Sequence, residues 1–446
     1  MIKSLRCSVA LAMILSLCLA ATCAQAGAMP PGAVMLEVPE TGGLFHIGDI
    51  MPLADGSVIV GGQVQYPGEY RIPYRSDYSN PRDKVRNDAI AMCIDPDGKV
   101  IWTIRLGDPQ ATNFLRPMGL LPDGRILMTF SADDSSFGSR FFIVGLDGVA
   151  EEMLPWKTLA AYFTPRSMSL MPESGYLGGD SSIVDDYYDF RTGRMEYPYS
   201  EDNRVMTLLD FDLNAVWQID LSPLGAQIGN YNKMEIFDGF ILLGTESTAG
   251  PDMTIGLAPA YTSVIKIDKK TGDILWQLTD EPRTNGMIGA TSLVETPDGS
   301  MLFTGAYLAP GETLDEGEGL AALTKITPDG VPVWTKRYES MDIESMFDII
   351  PFEDGYVMVG RRQNTLEEFT LLYVDMNGEP LGALYIDEEA GHVTDWPYLA
   401  AAPDGTVYIA GSIQTPYDRE TGTRGDLIGS YLSVLKAEYF TMPERK

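Results

Sequence analysis

Short apolar runs recur along the chain, each following a turn and ending in glycine. Examples are Val58-Ile59-Val60-Gly61, Ile241-Leu242-Leu243-Gly244, Met301-Leu302-Phe303-Thr304-Gly305, Val357-Met358-Val359-Gly360 and Val407-Tyr408-Ile409-Ala410-Gly411. The turns before them are Asp55-Gly56, Asp123-Gly124, Glu173-Ser174-Gly175, Asp238-Gly239, Asp298-Gly299, Asp354-Gly355 and Asp404-Gly405, spaced 68, 50, 65, 60, 56 and 50 residues apart. Asp-Gly between apolar runs is a strong hairpin signal, because glycine accepts the left-handed backbone that tight hairpins require.

A second series of turns alternates with the first: Asp97-Gly98, Asp147-Gly148, Asp212-Leu213-Asn214, Asp268 to Gly272, Asp329-Gly330 and Asn377-Gly378. Trp102, Trp217, Trp276 and Trp334 follow four of them closely. Each unit therefore predicts four strands: a, tight turn, b, variable connection, c, tight turn, d. Seven such units, with no long helical period between them, predict an all-β, seven-bladed β-propeller of four-stranded blades. The blades are expected near 46–105, 116–154, 166–220, 232–278, 289–338, 345–385 and 397–437, in a single domain covering 27–446. The last unit offers only strands a, b and c (Ser430–Ala437). An orphan strand, Val34–Val38, precedes the first blade and is expected to close the ring as the missing outer strand, removing two exposed edges.

The segment Ile267-Asp268-Lys269-Lys270-Thr271-Gly272-Asp273-Ile274-Leu275-Trp276 resembles the D-x-x-T-G-x-x-x-W repeat of quinoprotein-type (PQQ-like) propellers. Asp97 to Trp102 and Asp329 to Trp334 are shortened versions of it. The resemblance implies the propeller scaffold. Catalytic members of that family hold their quinone in a ring of usually eight blades, with calcium and an aspartate. Seven blades and the lack of a vicinal cysteine pair mean that the likeness carries no PQQ chemistry here. The Asp-box of sialidases does not match, because its aspartate and glycine are separated by one residue.

The first 26 residues read as an export signal: Lys3 and Arg6, an apolar stretch from Cys7 to Cys23, and Ala24-Gln25-Ala26 as a small-residue cleavage site. The expected location is therefore secreted or periplasmic. Cleavage would leave Cys93 as the one cysteine, which excludes an intrachain disulfide framework and a cysteine-based zinc site. The formal charge of 32 − 63 = −31 would become 30 − 63 = −33. A chain so acidic is repelled by phosphate backbones, so nucleic acid is not an expected partner. No later apolar run approaches the roughly 18 residues of a membrane span, and a monomer is expected.

In a propeller the a–b and c–d turns share one face, and the b–c and d–a connections share the other. The long stretches Val64–Asn87, Ser181–Asn203, Ser247–Tyr261, Leu308–Gly319 and Gln414–Gly429 all fall on that second face, where binding is expected. Six residues before each a–b turn stand Asp49, Pro117, Ser167, Asn232, Ser292, Asp348 and Tyr398. Strand alternation assigns this mostly polar set to the axial channel. Asp49 and Asp348, with His46 and His392 on the loop side, are candidate acid/base groups or metal ligands, although a polar, water-filled channel with ordinary loop histidines accounts for the same residues more simply.

Arg116 and Arg166 occupy equivalent positions beside the ring and could hold an anionic ligand or pair with acidic neighbours. Asn232, Tyr398, Tyr70 and Tyr74 complete the candidate ligand-binding set, the last two lying in a tyrosine-rich loop. Asp185, Asp186 and Asp189 form an oxygen-rich loop for which calcium is the conceivable ion, without the D-x-D-x-D-G spacing of a dedicated site. No cofactor is expected. The chain reads first as a secreted, non-enzymatic binder of a protein or glycan, and second as a hydrolase or lyase using the carboxylate and histidine groups.

Overall fold

The computed structural model describes residues 29–38, 43–65, 87–106, 113–132, 140–152, 168–179, 187–189, 194–196, 205–224, 233–248, 260–280, 287–307, 320–341, 343–362, 368–386, 393–415 and 427–442. After a short strand β1 (Val34–Leu36), the first blade comprises β2 (Leu44–Pro52), β3 (Val58–Gln65), β4 (Asn87–Ile94) and β5 (Val100–Leu106). The second contains β6 (Asn113–Leu120), β7 (Ile126–Ala132), β8 (Arg140–Val144) and β9 (Ala150–Glu152). The third is built from β10 (Met168–Met171), β11 (Gly175–Gly179), β14 (Val205–Leu209) and β15 (Ala215–Asp220). Its b–c connection holds a separate hairpin, β12 (Tyr187–Asp189) and β13 (Arg194–Glu196).

The fourth blade consists of β16 (Lys233–Ile236), β17 (Phe240–Thr248), β18 (Ala260–Asp268) and β19 (Ile274–Asp280). The fifth is β20 (Met287–Glu295), β21 (Met301–Tyr307), β22 (Leu320–Ile326) and β23 (Pro332–Arg337). The sixth is β24 (Ile343–Phe352), β25 (Gly355–Arg362), β26 (Phe369–Asp375) and β27 (Pro380–Ile386). The chain ends its circuit with β28 (Val393–Ala401), β29 (Val407–Gln414) and β30 (Leu427–Val434). Every blade is an antiparallel meander, so the protein is a seven-bladed β-propeller.

The expected closure is present. β1 pairs antiparallel with β30, Val34 opposite Leu432 and Leu36 opposite Ser430, and supplies the outer strand of the seventh blade. The closing strand is shorter than the expected 34–38. The last c strand also lies earlier than Ser430–Ala437: Leu435 N still donates to Val407 O at 2.9 Å, and the chain then turns away through a 3-10 helix at Ala437–Tyr439. Beyond it, Phe440 packs against Phe352 and Tyr373, and Thr441 exchanges two backbone hydrogen bonds with Ala383.

The apolar runs are strands covered on both faces, so they lack the alternation of a half-exposed sheet. β29, for example, is buried at every position. Among the described residues, buried side chains fall into seven clusters, one for each blade-to-blade seam. Cys93 belongs to the seam between blades one and two, and burial pushes its thiol pKa up, the opposite of what a reactive cysteine needs.

Many of the Asp-Gly turns share one geometry. In the first, Leu53 N donates to Ser57 O and Gly56 N to Leu53 O, with Gly56 at φ 83°. This is a type I turn followed by a left-handed bulge residue. The aspartates hold these turns: Asp55 accepts from Ser57 N and Oγ, Asp95 from Lys99 N, and Asp404 from Thr406 N. Hydrogen bonds donated to the carboxylate, from the Ser57 hydroxyl and the Thr406 amide first of all, hold Asp55 and Asp404 below their ordinary pKa of 3.8. Their contribution is complete above that ordinary value and fades as pH falls through the depressed folded values.

The four tryptophans explain the second series of turns. Each reaches forward to the next blade and lies on a c–d turn. Trp102 covers Gly148, Trp217 covers Gly272, Trp276 covers Gly330 and Trp334 covers Gly378, so that a β-carbon on any of these glycines would meet the indole at 2.7–2.9 Å. The first three indoles also donate Nε1–H to a turn carbonyl: Leu146 O at 2.9 Å, Lys269 O at 3.2 Å and Pro328 O at 2.8 Å. Tyr338 Oη donates to Gly378 O at 2.9 Å beside the fourth.

Two alanine substitutions separate the cost of a left-handed backbone from the cost of this interlock. Gly405 has φ 88° and open space for 4 Å around the place a β-carbon would take, whereas Gly272 has φ 77° and the Trp217 ring against it. In denaturant unfolding, Gly405→Ala should cost about 1 kcal/mol. Gly272→Ala should cost about 1–3 kcal/mol more, from overpacking. Equal costs would show that the indole contact contributes nothing.

Candidate functional site

The meander topology puts the seven a–b turns and the c–d turns on one face and all longer connections on the other. Those longer connections lie largely outside the described residues. So do His392, Arg166, Asn232, Tyr70, Tyr74, Asp185 and Asp186, together with most of the tyrosine-rich and acidic loops. Asp189 ends β12 opposite Arg194. The remaining candidates sit on the inner strands.

The inner strands carry a bulge at nearly the same level in several blades: after Ile47 in β2, after Pro117 in β6, before Ser292 in β20, after Met346 in β24 and before Tyr398 in β28. A bulge leaves backbone groups without ladder partners and re-aims the next side chain. Ile50, Leu293, Ile349 and Leu399 are buried in the seams, which leaves the set one residue earlier on the axial side. Of that set, Asp49, Asp348 and Tyr398 are half-buried, while Pro117 and Ser292 are buried.

Both ring carboxylates bond to the bulged strand itself. Asp49 Oδ1 accepts from Ile50 N at 2.8 Å, and Asp348 Oδ1 from Ile349 N at 3.0 Å. Asp348 Oδ1 also accepts from Ser292 Oγ of the neighbouring blade at 2.7 Å. One residue earlier, Thr291 Oγ1 donates to Met346 O at 2.6 Å. These hydroxyls therefore satisfy the bulged strand of the next blade across the seam.

The closing seam repeats the device. Ile47 N donates to Ser412 Oγ at 2.9 Å, and Ser430 Oγ donates to Phe45 O at 2.6 Å, the two buried serines lying 2.8 Å apart. His46, half-buried between these residues in sequence, has Nδ1 at 3.3 Å from Gln63 Nε2. Ser412, Ser430 and Thr291 escaped the reading of the sequence, since a hydroxyl on a β-strand has no spacing that marks it.

One sector brings candidate residues from two blades together. The Phe114 ring of β6 fills the space above Gly48, where a β-carbon would meet Phe114 Cζ at 1.5 Å. Arg116 is exposed and places its guanidinium 4.9 Å from the centre of that same ring. Gly61 lets the strands approach, its absent β-carbon lying 2.5 Å from Leu115 O. Arg116 and Phe114 thus set a cation on an aromatic ring where blade two packs against Gly48 of blade one. Among the described residues, no group of three His, Cys, Asp or Glu side chains is arranged to hold a metal ion.

No protein-family model matches the chain, and no curated protein does. Solved structures do. The β-propeller domain of the Trilobed protease from Pyrococcus furiosus, with an open velcro topology, aligns at TM-score 0.46 and 11% identity, covering 83% of this chain and 93% of its own. A protein of unknown function from Dyadobacter fermentans gives TM-score 0.42 and 12% identity, over 91% and 99%. NanB sialidase from Streptococcus pneumoniae gives 0.41 and 11%, over 92% and 71%. Likenesses this distant transfer no activity. The class is that of a seven-bladed β-propeller; the quinoprotein resemblance rests on the repeat residues alone.

Because Asp348 joins two blades, its removal should be felt as lost stability. Asp348→Ala strands the Ser292 hydroxyl and the Ile349 amide and should cost about 1–3 kcal/mol in denaturant unfolding. A double-mutant cycle with Ser292→Ala should show coupling above about 0.5 kcal/mol. Independent effects would show that the Asp348–Ser292 bond does not hold the seam.

Proposed function

We propose that this propeller is an exported, non-enzymatic binding module that takes a protein or carbohydrate ligand on its loop face. The observation that carries the reading is the use made of Asp49 and Asp348. Each holds the bulge of its own strand, and Asp348 also takes a bond from the adjacent blade. A general acid or base needs a carboxyl aimed at a reacting atom, and these two are aimed at backbone amides. The hydrolase or lyase alternative would ask the same two carboxyls to serve a reacting atom as well.

Two further features support binding at that face. The turns of the opposite face are short and alike, whereas the connections of the loop face differ greatly in length from blade to blade. The pair Arg116 and Phe114 offers an aromatic face with a donor beside it, a combination that suits sugar rings and peptide side chains. Export rests on the signal-like first 26 residues; among the described residues, no helix is long and apolar enough to cross a membrane.

The test is binding of the chain from residue 27 to a glycan array and to proteins of the producing cell's envelope and medium. Three forms are compared: the intact chain, a form with 66–86 and 180–204 shortened, and a turn-face variant, Asp123→Asn with Asp404→Asn. A ligand lost with shortened loops, weakened about tenfold or more by Arg116→Ala and kept by the turn-face variant supports the proposal. A ligand lost only with the turn-face variant contradicts it, as does turnover of a glycan or peptide abolished by Asp49→Asn in a folded protein.

A further inference from the structure

The outer strand of blade six is paired to a short segment that arrives from blade seven. After the 3-10 turn at Ala437–Tyr439 the chain lies along the edge of β27. Ala383 N donates to Thr441 O at 2.9 Å and Thr441 N to Ala383 O at 3.0 Å, an antiparallel bridge of one residue pair. Beside it Phe440 is buried, its ring centre 5.7 Å from that of Phe352 and 5.6 Å from that of Tyr373.

A missing side chain makes room for this segment. In four blades a tryptophan stands four residues after the left-handed residue of its c–d turn: Trp102 after Gly98, Trp217 after Leu213, Trp276 after Gly272 and Trp334 after Gly330. The same count from Gly378 reaches Gly382. A β-carbon there would lie 2.9 Å from Phe440 Cβ and 3.1 Å from Thr441 N, and the three nearest atoms all belong to the tail. Phe352, Tyr373 and Gly382 thus form a groove for one aromatic ring, with a strand edge alongside.

The tail uses only part of that edge. Strand alternation turns the backbone groups of Leu381 to the same side as those of Ala383, and Leu381 is 43% exposed. Two residues after Thr441 the sequence has Pro443, which has no N–H with which to complete a second two-bond pair. Thr441 and Met442 are themselves exposed.

We propose that this groove is a docking site for an extended peptide, recognised by an aromatic anchor and by strand addition to β27. The chain's own tail is its resident ligand, and a peptide without proline at the position of Pro443 can take its place. The groove lies on the outer rim, so the inference stands apart from any ligand of the loop face.

The probe is a fluorescent peptide of residues 436–446 carrying Pro443→Val, its binding to the chain from residue 27 read by anisotropy. The tethered tail competes at high effective concentration, so Phe440→Ala in the protein should tighten peptide binding about tenfold or more. Adding Gly382→Ala, at a backbone that is not left-handed, should weaken it about tenfold or more, because the methyl takes the space of the anchor residue. A peptide with its own Phe440→Ala should bind neither protein.

Affinity indifferent to Phe440 and Gly382 would overturn the proposal, as would no binding by the folded Phe440→Ala protein. Should that variant fail to fold, amide exchange in the unaltered chain decides. The amides of Ala383 and Thr441 should exchange about tenfold faster, or more, than those of β29, since the tail leaves while the ring stays closed. Exchange of these two amides at the β29 rate would overturn it.

Discussion

A four-stranded sheet that is apolar on both faces cannot end anywhere in water, and that constraint organises the whole molecule. β29 and β25 are buried along nearly their whole length, so each blade needs a blade on either side. Only a ring meets that need for all seven, and a ring made from one chain has one place where its ends must meet. The pairing of Val34–Leu36 with Ser430–Leu432 is that place. The serines that clasp Phe45 and Ile47 reinforce the same region, while the tail that reaches Ala383 ties the last blade to blade six.

Within the ring, polar groups serve the apolar seams. Bulges in the inner strands bring side chains to the axis at the cost of backbone partners, and hydroxyls and carboxylates from the same or the adjacent strand take up the freed groups. On the turn face, aspartates hold hairpin turns whose glycines leave room for the indole of the preceding blade. The acidity of the chain is thus partly architectural: several of its carboxylates are bonded to turn amides. The proposed binding falls to the opposite face, where connection length varies.

The architecture was legible in the sequence because it is periodic and local. Asp-Gly turns, glycine-ended apolar runs and a regular tryptophan each report on a few neighbouring residues, and seven repetitions remove the ambiguity of any one. Even the closing strand could be found, since counting strands left one blade short. The role of the tryptophans was not legible: Trp217 and Gly272 are 55 positions apart in different units, and nothing local joins them. Asp49 and Asp348 were ambiguous for a related reason. A carboxylate on an inner strand looks the same in sequence whether it faces a ligand or holds a bulge, and the bulge follows from how the neighbouring blade packs. Ser292 and Thr291, the partners that reveal that role, lie a whole blade away from Asp348 and Met346.

The central claim is that closure by β1 makes seven weak units one cooperative body. It is tested most directly by comparing unfolding of the chain from residue 27 with that of a chain lacking residues 27–38, followed by tryptophan fluorescence and far-ultraviolet circular dichroism together. The account predicts coincident transitions for the closed ring, and for the opened one a lower midpoint with the two probes separating as blades fray from the broken seam. The same midpoint and the same coincidence in both chains would contradict it.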